Sequence, residues 1–138
     1  MKRYLLGLLI VAAFSVGASG QQCSPLPCIV ASTSLTGQTT PLPLTTIYTP
    51  PASGVFRVST YLSVSKAHSS GVTWSLTLGW TDDNGVRSAS TTVAENGSNA
   101  TTATAVIEAI EGQPVVYKTK SQGEGATYNL YIVVEQLE

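Results

Sequence analysis

Few side chains in this sequence are of a type that does chemistry, and their spacing limits what that chemistry could be. His68 is the single histidine, set in the polar run KAHSSG. Any nucleophile-base-acid arrangement would have to pass through it, yet nothing in the sequence brings a carboxylate or a nucleophile to its side, and such arrangements are made by geometry. It reads as a solvated loop histidine. Asp82, Asp83 and Asn84 offer the oxygen ligands that calcium takes, but they are consecutive, whereas an EF-hand loop places its ligands at alternate positions. Asp82-Asp83-Asn84-Gly85 is also what a tight hairpin requires, because Asn and Gly tolerate positive φ, and the turn is the expectation. Glu108 and Glu111 form no recognisable acid/base pair, since nothing sets their separation across a fold. No HExxH, GxSxG, phosphate-cradling glycine loop or dinucleotide fingerprint occurs. The expectation is a protein with no catalytic residue, no metal ligand and no cofactor, and therefore not an enzyme.

Two other groups of residues point to binding or to stability. Cys23 and Cys28 are the only cysteines, in the segment QQCSPLPC. In an exported chain they are expected to form a disulfide. Two thiolates without a nearby histidine or third cysteine give only half of a structural zinc set. The bridge would close a short loop stiffened by Pro25 and Pro27, which by loop entropy contributes about 2–3 kcal/mol or less. Tyr48, Tyr61, Tyr117, Tyr128 and Tyr131 could stack on sugars wherever they lie exposed, since their rings are apolar and their tips polar. Tyr61 breaks the otherwise polar side of its segment. With Tyr131 and Val133 it makes the candidate ligand or interface surface, against a background expectation of ordinary cross-strand packing. Asn96-Gly97-Ser98 and Asn99-Ala100-Thr101 match the N-glycosylation acceptor pattern, which matters only in a host that glycosylates there.

The elements that must position these residues follow from composition and periodicity. Residues 1–20 read as a Sec-type signal peptide: Lys2 and Arg3, an apolar stretch over residues 5–14, and Ala18-Ser19-Gly20, with cleavage expected after Gly20. That apolar stretch is short of the roughly 20 residues needed to cross a bilayer, so no membrane anchor is expected. Cys23, preceded by Gln21 and Gln22, lacks the small residues that a lipid-modified cysteine needs. The destination is therefore secreted, periplasmic or cell-surface. Beyond residue 20 there are five basic and eight acidic residues, a net charge of −3 and no basic footprint for nucleic acid. With 43% hydrophobic and 11% charged residues the chain is globular. The 18 Thr and 14 Ser beyond residue 20, with few helix-forming runs, indicate an all-β protein.

Residues 21–43 read as an extended lead-in rich in Pro, Thr and Ser, and the β-sandwich domain as residues 44–138, with residues 44–48 a short edge strand. Phe56, Val58, Leu62 and Val64 alternate with Arg57, Ser59, Ser63 and Ser65, the period-two mark of a half-buried strand. Val72, Trp74, Leu76, Leu78 and Trp80 do the same against Thr73, Ser75, Thr77, Gly79 and Thr81, and the two tryptophans should anchor the core. A return strand over residues 86–94 follows the Asp82–Gly85 turn. Residues 101–111 fit a strand or a helix, with the Thr-rich start favouring the strand. Residues 115–120 and 126–137 complete the set. In the last, Tyr128, Leu130, Ile132 and Val134 face one way and Tyr131 and Val133 the other, which predicts a strand central in its sheet or covered on its outer side. Six to eight short strands of this kind make a single antiparallel β-sandwich of jelly-roll type.

The stretches TTIYTPPASGVFRVSTYLSVS, VTWSLTLGWTDDNG, AVIEAIEGQPVVYKTK and ATYNLYIVVEQLE resemble a family of uncharacterised β-sandwich proteins found in bacterial and phage-derived sequences. Their order is also similar to the jelly roll of tumour-necrosis-factor and complement globular-head domains, over residues 45–137. The resemblance implies a compact jelly roll, often trimeric, used for assembly, adhesion or ligand display, and it carries over no catalytic residue. The expected function is that of an exported interaction or structural protein forming a homo-oligomer, a trimer on the resemblance. A secreted carbohydrate-binding module with a glycan partner is the first alternative, and a phage-derived structural protein the second.

Overall fold

The computed structural model describes residues 23–66, 73–94, 100–122 and 126–138. Residues 1–20, His68 and the acceptor asparagines Asn96 and Asn99 lie outside these segments. Eight strands occur in chain order: β1 (Cys28–Gln38), β2 (Thr45–Tyr48), β3 (Gly54–Lys66), β4 (Thr73–Asp82), β5 (Gly85–Ala94), β6 (Ala100–Ala109), β7 (Val115–Gln122) and β8 (Thr127–Gln136). There is no helix among the described residues. The strands form two four-stranded sheets, ordered β1-β8-β3-β6 and β2-β7-β4-β5, with every ladder antiparallel. β1 pairs with β8, β2 with β7, β3 with β6 and β4 with β5, as when one long hairpin is rolled into two layers. That is the jelly-roll β-sandwich.

Alternation builds the core. Phe56, Val58, Leu62 and Val64 of β3, Trp74, Leu76 and Leu78 of β4, and Tyr128, Leu130, Ile132 and Val134 of β8 all point between the sheets and are buried. The Trp74 and Tyr128 rings pack at 4.0 Å between centroids with a 36° tilt, joining the two layers at the centre. Trp80 is only partly buried and packs against the core from its margin, so a single tryptophan holds the middle. β8 lies between β1 and β3, which is the interior position that its two apolar faces suggest. β6 is a strand: Thr101, Ala103, Ala105, Ile107 and Ala109 alternate with exposed Thr102, Thr104, Val106 and Glu108.

Within the stretch expected to be an extended lead-in, residues 28–38 form a full edge strand. The prolines at positions 41, 43, 50 and 51 all lie beyond Gln38, so none removes a donor from its ladder. Its period-two signal is weak because Ala31, Thr33 and Leu35 supply the inner face, and because irregularities between Ile29 and Ala31 and between Leu35 and Gln38 shift the phase.

Two local devices hold the connections. In the β4–β5 hairpin Asp82 Oδ1 accepts the Asn84 N–H at 2.8 Å, a side chain mimicking a backbone turn. Gly85 alone there takes positive φ, at 109°, while no residue other than glycine does so among the described residues. The β1–β2 link is pinned by a buried relay. The Leu42 N–H donates to Thr119 Oγ1 at 2.7 Å, the Thr119 and Tyr128 hydroxyls are 2.9 Å apart, and the Tyr128 hydroxyl donates to the Thr40 carbonyl at 3.0 Å. Burial pushes the Tyr128 phenol above its ordinary pKa, so it stays a donor across the physiological range.

Candidate interaction face

The outer face of the sheet β1-β8-β3-β6 gathers the residues that the sequence singles out for binding. Register places Tyr61 of β3 directly opposite Tyr131 of β8, and Val133 opposite Ser59. The two tyrosine rings lie 5.9 Å apart between centroids at a 50° tilt, and both remain substantially exposed, at 40% and 38%. Cross-strand tyrosine packing and a usable surface therefore coexist in one pair.

The rows around that pair can be read across the sheet. One carries Ser34, Tyr131, Tyr61 and Thr102, and the next Ser32, Val133, Ser59 and Thr104. A further row carries Ile29, Glu135, Arg57 and Val106. Ile29 and Val106 are 63% and 65% exposed. Between them Arg57 Nε donates to Glu135 Oε2 at 2.7 Å. That hydrogen bond, with the guanidinium charge behind it, holds the Glu135 carboxyl below the usual carboxylate range and the guanidinium above its own. The face thus has an aromatic and aliphatic centre, a hydroxyl border, and one internally neutralised ion pair.

The remaining sequence candidates do not join it. Tyr48, Tyr117 and Tyr128 are core residues and present no stacking surface. Asp82 directs one oxygen to the turn and the other to Arg87 Nε at 2.9 Å, which lowers its pKa chiefly through that bond. The turn reading of DDNG holds, and among the described residues no group of three metal-ligating side chains converges. Glu108 is exposed on β6, while Glu111 follows that strand with its N–H donated to Ser53 Oγ at 3.0 Å. Cys23 and Cys28 form a disulfide with Cα atoms 5.9 Å apart, next to the start of β1.

Comparison with known proteins adds little to this geometry. No family model matches the chain, and no curated protein does. The likeness to bacterial and phage β-sandwich proteins has no counterpart there and stands only on the quoted motifs. Among solved structures, the Eiger TNF of S. frugiperda is similar over 78% of this chain and 92% of its own, at 13% identity and a TM-score of 0.45. A score of that size does not by itself equate two folds, and the jelly-roll assignment here rests on strand pairing.

What the sequence did not reveal is adjacency. Tyr61 and Tyr131 stand out as apolar residues on polar or two-faced strands, but only the β3–β8 register makes them one surface. Ile29 and Val106 gave no signal, since each sits in a segment read as lead-in or as ambiguous.

Proposed function

We propose that this is an exported, non-enzymatic interaction protein that associates with further copies of itself through the outer face of the sheet β1-β8-β3-β6. The observation that carries the reading is the exposed Tyr61–Tyr131 pair beside Val133 at the centre of a sheet whose opposite face carries the core residues Phe56, Val58, Leu130 and Ile132. Aromatic residues near the centre of a patch with a polar border are the usual anatomy of an association surface. The arginine present is already paired within the chain, so a second copy would not have to neutralise it. Export is supported by the signal-like residues 1–20 and by the disulfide, which persists in oxidising compartments. Three copies are the expected assembly on the motif resemblance. The test is the solution mass of the protein purified from an oxidising compartment, alongside Tyr131→Ser. An oligomer that dissociates on this substitution supports the reading, and a strictly monomeric protein overturns it.

The same pair favours one second reading, a carbohydrate-binding face. Ser32, Ser34, Ser59, Thr102 and Thr104 surround the rings, so a sugar could stack on tyrosine while meeting hydroxyls at its edge. Binding on a broad glycan panel, lost in Tyr61→Ser, would replace the first reading.

A further inference from the structure

The two sheets do not close evenly. β5 is the edge of one and β6 the edge of the other, and the two lie on the same side of the sandwich. Between them is a cavity of about 220 Å³. Its cause is legible in the register. Leu78 and Leu76 of β4 stand opposite Ala89 and Thr91 of β5, and Val58 and Thr60 of β3 opposite Ala105 and Ala103 of β6. Leu76, Leu78 and Val58 each face a smaller residue on the edge strand, and at Thr60–Ala103 both residues are small. Sheets in a sandwich stand about 10 Å apart, a distance set here by Trp74, Tyr128 and Phe56 at the centre. Alanines cannot span it, and the gap stays open at this edge.

The lining decides the class of ligand. Leu76 and Leu78 form the floor, Ala89, Ala103 and Ala105 the walls, and no described lining residue is charged. The Thr60 hydroxyl is directed away into its own sheet, donating to the Ala103 carbonyl at 3.1 Å. The Thr91 and Thr101 hydroxyls, 3.2 Å apart, join the two edges. Ser90 and Thr104 reach the rim with their backbone while their side chains turn to the outer faces, the Ser90 hydroxyl lying 3.0 Å from that of Thr77 and Thr104 in the row of Ser59 and Val133. There β5 and β6 each have a ladder partner on one side only, leaving backbone donors and acceptors facing outward. An apolar cavity of about 150 Å³ stays dry and holds benzene, so a cavity of about 220 Å³ takes in proportion about nine carbons.

We infer that the gap between β5 and β6 is a binding site for a small uncharged amphiphile, an aliphatic chain of up to about nine carbons with a single hydroxyl or ester head at the mouth. Among the described residues no charged side chain lines the opening, so an ionised head group drawn toward it loses hydration without gaining a counter-charge and binds more weakly than an uncharged one. The site lies between the sheets, apart from the Tyr61–Tyr131 face, so it stands or falls independently of self-association.

The test is a titration of isotope-labelled protein with n-octanol, followed by amide NMR. Saturable shifts are expected at Ala89, Ala103, Ala105 and their neighbours. At about pH 8 n-octanoate, ionised there, should bind at least about tenfold more weakly. Ala103→Leu fills the cavity and should weaken octanol binding by at least about tenfold while the spectrum stays dispersed. Should that variant fail to fold, Ala89→Leu from the opposite wall serves instead. Xenon, which needs no variant, must also perturb the same amides. The inference is overturned by shifts that do not saturate, by shifts on the Tyr61–Tyr131 face instead, by equal affinity for octanoate, by filled variants that still bind, or by silence with xenon.

Discussion

Tyr128→Phe removes one oxygen from the centre of the sandwich, and the structure says what that oxygen does. The ring packs on Trp74 and is fully buried, so Phe keeps the shape and the stacking. What is lost is the hydroxyl that links Thr119, 4% exposed, to the Thr40 carbonyl. Thr40 sits in an exposed link and its carbonyl can turn to water; Thr119 cannot. Leaving one buried polar group without its partner costs about 1–3 kcal/mol, and a loss of about 2 kcal/mol is expected. For a domain of this size that lowers Tm by roughly 10 °C, using about 5 °C per kcal/mol. Denaturant unfolding should show a lower midpoint with an unchanged slope, because no additional surface is exposed in either state. Thr119→Val alone also takes the acceptor from the Leu42 N–H and should cost at least as much, while the double variant should cost less than the sum of the two, because the hydrogen bond between the Thr119 and Tyr128 hydroxyls is then lost once and not counted twice. A loss under about 0.5 kcal/mol for Tyr128→Phe, or additive single effects, would show that the relay does not pin the β1–β2 link.

Three further outcomes are expected. Glu135 and Asp82 have pKa values lowered by their arginine partners, so their stabilisation is complete above the ordinary carboxylate value of about 4 and is lost as pH falls through the lowered values. Acid unfolding of Glu135→Gln, followed by circular dichroism, should therefore have a flatter acid limb than the parent protein. Replacing Cys23 and Cys28 by Ser should lower stability by about 2–3 kcal/mol or less in denaturant titration, since the loop is short and closes on the first residue of β1. Gly85→Ala forces a side chain onto φ of 109° and should cost about 1–2 kcal/mol, read from the thermal midpoint, without changing the fold.

Legibility in the sequence followed side-chain size. β3, β4 and β8 alternate large apolar with small polar residues and were readable as strands with the correct inner faces. β1 is not legible as a strand because Ala31, Thr33 and Leu35 contrast weakly with the serines between them, and because its irregularities break period two. The β4–β5 turn was recognised from Asp82 to Gly85, although Asn84 does not use its tolerance of positive φ; Asp82 builds the turn with its side chain and Gly85 supplies the conformation. The tyrosine face was readable as separate residues but not as a surface, since pairing across residues 61 and 131 is a matter of register. The cavity left no mark at all, because an inward-facing Ala or Thr looks in sequence like an outward-facing one.

The proposal of self-association stands most directly on the outer face of β3 and β8, and sedimentation of the protein with and without Tyr131→Ser tests it. The parent protein should sediment as an oligomer. Truncating a central aromatic anchor costs about 2 kcal/mol or more, so the variant should associate at least about 30-fold more weakly and shift to monomer at micromolar concentration. An oligomer of unchanged affinity in Tyr131→Ser, or a parent protein that is monomeric throughout, would place the association elsewhere or remove it.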